Sequence, residues 1–403
     1  MGRQERIAMK TSFTKISGAV TAPHGFRAAG IAAGIKRPGK KDMALIVSDV
    51  PATVAATFTT NQVKAAPVKI SMQHVRAGKA CAVIVNSGNA NACTGPIGLL
   101  HAQAMTAAVA RRIGCRETNV LVCSTGRIGV PMPIVKVEAG IKKLLGSLSP
   151  QGGPQAAEAI MTTDTFAKEI AVRVKAGGKT IRIGGIAKGA GMIEPHMATM
   201  LCFITTDAAI GRAALQKALR GAVHQSFNRI TVDGDTSTND SVICLANGLA
   251  GEFPLPVFQA ALNFVCVELA KMMVHDGEGV SKFVTVNVTG AANDRDADLA
   301  ARAIANSTLV KCCWCGNDPN WGRIMDALGY SRAKVREDLV EIGFNGVTAV
   351  RKGVANRTPL AKLKKIVSEP TFSVDVNLHL GRGKCTVYTC DLTEKYVTLN
   401  KGE

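Results

Sequence analysis

Short apolar runs separated by clusters of glycine, asparagine and serine dominate the first two thirds of the chain. Met43-Ala-Leu-Ile-Val-Ser-Asp49 reads as a strand, and Cys81-Ala-Val-Ile-Val85 as a buried one. The latter leads into Asn86-Ser-Gly-Asn-Ala-Asn-Ala-Cys-Thr-Gly95, a polar loop of turn formers that is either a connection or the wall of a site. Residues 99–113 carry a helical period. A strand at 119–123 follows, then the small-residue turn Ser124-Thr-Gly-Arg-Ile-Gly-Val-Pro131, then a helix at 134–146. The glycine-rich stretch 188–195 ends at a proline, and the apolar, β-branched run from Thr199 to Asp207 predicts a strand. Residues 212–227 and 255–274 read as helices. Beyond Lys282 the pattern predicts a strand at 283–288, a helix at 293–308 and a strand at 309–314. It also predicts a hairpin of 372–380 and 384–391 around Gly381-Arg-Gly383. No segment repeats at 20–50 residues, which excludes a solenoid.

At 403 residues the chain exceeds one ordinary core and predicts two or three packed units. No apolar stretch is expected to reach the roughly 20 residues of a membrane helix. Residues 1–15 lack the apolar region of a signal peptide, and Arg6 stands where a myristoylation signal has serine or threonine. Twelve cysteines without a regular framework predict a reducing, cytoplasmic setting. Cys312-x-x-Cys315 has ligand spacing but no second pair or nearby histidines, so no metal or other cofactor is expected. The formal charge is +19, yet aromatics are few and the basic residues are spread out. That pattern fits a basic surface attracting anionic metabolites better than a base-stacking nucleic-acid interface.

Candidate chemistry concentrates at Thr199, where loop becomes strand. A threonine hydroxyl is a weak nucleophile without an adjacent base. A cut between Ala198 and Thr199 would supply one, because a free α-amine, with a pKa of roughly 7.7–8.0, accepts protons near neutrality. By residue type alone Thr199 reads more readily as the first residue of a strand. The turn at Thr125–Gly126 is either ordinary or a place where backbone N–H groups meet an oxyanion. Lys188 and Glu278 read as solvated charges or as partners for a carboxylate and an ammonium.

Several stretches resemble the ornithine acetyltransferase (ArgJ) family. They are Gly25-Phe-Arg-Ala-Ala-Gly-Ile-Ala-Ala-Gly34, Phe58-Thr-Thr-Asn61, Ile160-Met-Thr-Thr-Asp-Thr-Phe166, Lys188-Gly-Ala-Gly-Met-Ile-Glu-Pro-His-Met-Ala-Thr-Met-Leu201 with Thr206-Asp207-Ala208, Asp233-Gly-Asp-Thr-Ser-Thr-Asn-Asp240, and Gly316-Asn-Asp-Pro-Asn-Trp-Gly-Arg323. The likeness covers residues 18–400. It implies a layered α/β sandwich of the ArgJ/DmpA-like N-terminal-nucleophile type with a smaller α/β C-terminal domain. The expected division is a catalytic core at 1–280 and a C-terminal part at 281–403. It also implies self-cleavage into an alpha chain, 1–198, and a beta chain, 199–403, assembled as a heterotetramer of two of each.

The same resemblance assigns roles. Thr199 becomes the nucleophile, Thr125 and Gly126 the oxyanion hole, and Thr162, Lys188, Thr199, Glu278 and Asn400 the substrate contacts. The implied activity is transfer of acetyl from N-acetylornithine to glutamate through an acetyl-threonine ester, with no metal; some family members also accept acetyl-CoA. Family members usually continue past the asparagine to a threonine or serine that contacts substrate, whereas this sequence stops at Glu403. Two other readings compete: an N-terminal-nucleophile amidohydrolase or aminopeptidase, in which water replaces glutamate, and a basic nucleic-acid binder.

Overall fold

A computed structural model describes residues 12–194 and 200–401. Ala198 and Thr199, and with them the expected cleavage position, lie outside the described residues. The described residues form two compact units. One comprises 12–192, 200–228 and 235–273; the other comprises 193–194, 229–234 and 274–401.

The first unit contains, in chain order, β1 (Ser12–Ile16), β2 (Phe26–Ile31), β3 (Met43–Phe58), α1 (Ala66–His74), β4 (Lys79–Asn89), α2 (Gly95–Ile113), β5 (Val120–Arg127), α3 (Ile134–Gly146), α4 (Gly153–Ala159), β6 (Lys168–Ala176), β7 (Lys179–Lys188), β8 (Leu201–Ala209), α5 (Arg212–Gln225), β9 (Ser241–Glu252) and α6 (Leu255–His275). Among the described residues the strands run β1-β6-β7-β8-β9-β3-β4-β5, with β2 beside β3. The first half of β3 pairs with β2 and β4 and its second half with β9, and the ladder to β4 slips between Val47 and Ala52.

The sheet folds back on itself along β3. Val83, Val85 and Leu121 from β4 and β5 share one core with Ile186, Leu201, Phe203, Ile243 and Leu245 from β7 to β9. Side chains alternate along a strand. Accordingly Ala82, Ile84, Val120 and Val122 point the other way, into a second core with Ala102, Met105 and Val109 of α2 and Val137 and Ile141 of α3. On the opposite outer face α6 lies on β7, where a Cβ added at Gly185 would come 2.9 Å from Leu269 Cδ1. The result is helix on sheet on sheet on helix, a layered α/β sandwich.

Helix α6 corrects one expectation. It has 21 residues and a mean hydropathy of 1.5 in its most apolar window, so it is long and apolar enough to cross a membrane. It is nevertheless a core helix here, with Phe258, Leu262, Val265, Leu269 and Ala270 fully buried.

The second unit contains β10 (Phe283–Ala291), α7 (Asp294–Asn306), α8 (Thr308–Cys315), α9 (Trp321–Tyr330), β11 (Glu341–Phe344), β12 (Val347–Arg351), β13 (Val354–Ala355), α10 (Leu360–Val367), β14 (Thr371–Asn377), β15 (Gly383–Cys390) and α11 (Glu394–Leu399). Two expectations fail here. The run 309–314 is helix α8, not a strand. Ser307 caps it, its side chain accepting from Val310 N at 3.3 Å, and that local signal outweighs the β-leaning composition. The strands around Gly381-Arg-Gly383 do not form a hairpin. β10 lies between them, parallel to β14 and antiparallel to β15. The connection crosses the end of β10, where Leu380 N and Gly381 N both donate to Gly290 O.

Candidate active site

One end of the folded sheet in the first unit collects the motif residues. β7 ends at Lys188, which sits opposite Leu201 at the start of β8. β5 ends in the Thr125–Gly126 turn. Because the two sheet halves face each other, Lys188 Nζ lies 3.4 Å from Thr125 Oγ1, and both residues are buried. Asn239 fixes the polar loop to the same strand end, donating through Nδ2 to Ser124 O at 2.8 Å and to Ala90 O at 2.7 Å. Gly126 has φ +129°, and a Cβ there would stand 2.3 Å from the Gly88 carbonyl carbon. Only glycine fits this turn, because the Gly88–Asn89 backbone of the neighbouring strand fills the space a side chain would take.

Asp164 organises the residues behind Lys188. Its Oδ1 accepts from Lys168 Nζ at 2.6 Å and from Gly189 N at 2.7 Å, and its Oδ2 accepts from Thr162 N at 2.9 Å. Thr162 is thereby tied to the residue next to Lys188. Burial alone would raise this carboxyl, but the charges of Lys188 and Lys168 and the hydrogen bonds to it outweigh that and hold it down at about 2. Lys168 is fully buried and pairs with Asp164 one helical turn's spacing back in sequence.

Asp240, also fully buried, contrasts with it. Burial pushes its carboxyl well above the usual range, although Met200 N donates to its Oδ1 at 2.8 Å and Lys188 lies within electrostatic reach. Met200 directly follows Thr199 in sequence, and its carbonyl accepts from Ser241 N at 3.1 Å. The start of β8 is therefore pinned on both sides.

Glu278 and Asn400 belong to the second unit. They meet each other: Asn400 Nδ2 donates to Glu278 Oε2 at 2.8 Å and to Tyr396 O at 3.0 Å.

A model of the ArgJ family matches residues 27–402. The chain belongs to the ArgJ family. The bifunctional arginine-biosynthesis protein ArgJ of Geobacter sulfurreducens is 51% identical over 384 residues, 93% of this chain and 98% of that protein. The protein of the same description in Symbiobacterium thermophilum is 48% identical over 394 residues, 96% of this chain and 98% of that one. A crystal structure of ornithine acetyltransferase complexed with ornithine, from Mycobacterium tuberculosis, is 44% identical; it covers 46% of this chain and 98% of its own, with a TM-score of 0.42. This ArgJ chain is an acetyltransferase of arginine biosynthesis.

The family likeness gives several neighbours no role: Asp164 and Asp240 lie inside the shared motifs, Lys36 and Lys168 outside them. Lys36 donates to Lys41 O at 2.9 Å and to Met161 O. Burial lowers its ammonium to about 8 against the pull of Asp42, and the charge of Lys188 lowers it further. A sequence signal for these residues was weak, because each gains its part only when segments far apart in the chain converge.

Proposed function

We propose that this ArgJ chain moves an acetyl group from N-acetylornithine to glutamate by a ping-pong route through an ester on Thr199. In the maturation step, the Thr199 hydroxyl attacks the Ala198 carbonyl, the peptide C–N bond breaks, and water hydrolyses the resulting ester. The products are a carboxylate on Ala198 and a free α-amine on Thr199. That amine then takes the hydroxyl proton as Thr199 Oγ bonds the acetyl carbon, and returns it to the nitrogen of departing ornithine. Glutamate attacks the ester next, and the threonine hydroxyl is restored.

The observation that carries this reading is the contact of Lys188 with Thr125. A buried ammonium beside the Thr125–Gly126 turn supports a carboxylate anchor at Lys188 next to an oxyanion hole at Thr125 and Gly126. One oxyanion donor is typically worth roughly 3–4 kcal/mol of transition-state stabilisation. Asp164 supports Thr162 as a further contact. Glu278, held by Asn400, supplies the carboxylate chemistry that a side-chain ammonium such as that of ornithine requires. We further propose an assembly of two alpha and two beta chains, a cytoplasmic location, and acetyl-CoA as a second donor.

Incubating purified protein with N-acetylornithine and glutamate tests the reading. Stoichiometric ornithine and N-acetylglutamate are expected. Free acetate without N-acetylglutamate would identify a hydrolase instead.

A further inference from the structure

We propose that Lys36 is a second recognition residue of this site, holding with Lys188 the α-carboxylate common to N-acetylornithine and glutamate. The proposal rests on the acetyl-transfer reading above and adds a residue which that reading does not use.

The placement of Lys36 follows from two glycines. A Cβ at Gly88 would lie 2.8 Å from Lys36 Cγ, so the lysine stem runs across the Gly88 backbone. Gly88 sits in register with Gly126 on the neighbouring parallel strand. The stem therefore passes over the strand pair that carries the oxyanion turn. The head reaches the other wall, donating to the carbonyl of Met161, the residue before Thr162.

The charges around Lys36 are already committed. Both oxygens of Asp42 are taken by the backbone N–H groups of Ala33, Gly34, Ile35 and Lys36. Asp164 is held by Lys168, Gly189 and Thr162. The hydrogen bonds of Lys36 Nζ go to two neutral carbonyls, those of Lys41 and Met161. An ammonium has three donors, so one N–H of Lys36 lacks a protein partner among the described residues. The charged groups that act on Lys36 most strongly are Asp42, Lys188, Asp164 and Lys40. Counting Lys36 itself, these make three ammonium groups against two carboxylates, and one of the carboxylates, Asp164, is already paired with Lys168. That excess of positive charge suits one incoming carboxylate, and discriminates a free α-carboxylate from an amide or ester.

The test compares Lys36→Met and Lys36→Arg with wild type. Lys36→Met is expected to raise KM for both N-acetylornithine and glutamate about ten- to a hundredfold, the usual effect of losing a charge-assisted contact. Self-cleavage should stay complete and kcat should stay within several-fold. Lys36→Arg, which keeps the charge, should hold KM near wild type. The pH dependence separates the roles. Burial lowers the Lys36 ammonium to about 8, so wild-type KM should climb above pH 8. In Lys36→Arg that climb should vanish, while the kcat limb set by the Thr199 α-amine remains.

Calorimetric titration with ornithine gives the same comparison without turnover, so failure of acetyl transfer in wild type would count against the function alone. Wild-type KM and ornithine affinity in Lys36→Met would overturn the inference. If Lys36→Met does not fold, a Lys36→Arg pH profile identical to wild type would overturn it equally.

Discussion

Lys188 and Thr125, 63 residues apart in sequence, meet with 3.4 Å between Nζ and Oγ1 because the sheet of the first unit doubles back along β3. The pairing joins the strand before the proposed cleavage segment to the strand that ends in the proposed oxyanion turn. Lys188→Ala should therefore weaken substrate binding more than it slows self-cleavage. Loss of a charge-assisted contact costs roughly 1.5–3 kcal/mol, or about ten- to a hundredfold in KM. Steady-state kinetics and a denaturing gel on the same preparation read both effects. Equal loss in the two would show that Lys188 serves only the fold.

Gly126 tolerates no side chain, since its φ is +129° and a Cβ would overlap the Gly88 backbone. Gly126→Ala should shift the turn and lower kcat by about 10²–10³, the effect of losing one oxyanion donor. KM for N-acetylornithine should change less. A variant with normal kcat would separate this turn from the chemistry.

Asp164 links acid sensitivity to the site. Its folded carboxyl sits at about 2, below the roughly 3.9 of an unfolded chain. A depressed carboxyl stabilises the folded state above the unfolded value and loses that effect as pH falls through the folded one. The contribution is roughly 2–3 kcal/mol at pH 7, about half of it gone by pH 3. Urea titrations of wild type and Asp164→Asn should differ most at pH 7 and converge toward pH 3. A pH-independent difference would remove Asp164 from the acid response.

Much of this fold was legible in the sequence because its signals are local. The strands at 43–49 and 81–85 and the helix at 134–146 follow from short apolar periods, and each is present. The hairpin reading failed because turn residues at 381–383 say nothing about a strand 90 residues earlier. β10 slots between the two arms by long-range pairing. The 309–314 reading failed because Ser307 nucleates a helix in residues that otherwise favour strands. In the candidate site, the motif residues are assigned through family likeness alone. Lys36 and Lys168 were not legible, since a lysine between ordinary residues reads as solvated. Only the convergence of segments near 36, 88, 161 and 188 gives these lysines their surroundings.

Asp240 predicts a contrast between two substitutions. Burial raises its carboxyl well above the usual range, so the neutral form is favoured in the folded state. A raised carboxyl destabilises the folded chain as pH rises past the unfolded value. Asp240→Asn keeps an oxygen for Met200 N, so stability at pH 7 should be unchanged or improved and self-cleavage retained. Asp240→Ala leaves that buried N–H unpaired and should cost about 1–3 kcal/mol. Chemical denaturation of both variants checks this; equal losses would mean that the hydrogen bond to Met200 contributes nothing.

The central claim is that Thr199 becomes an N-terminal nucleophile and carries the acetyl group. Intact-mass spectrometry of purified protein, before and after an acid-quenched reaction with N-acetylornithine alone, tests it most directly. The expected result is two fragments divided between Ala198 and Thr199, with one added acetyl on the fragment that begins at Thr199. Thr199→Ala should remain a single unacetylated chain. A wild-type protein that stays one uncut chain yet forms N-acetylglutamate at full rate would contradict the account.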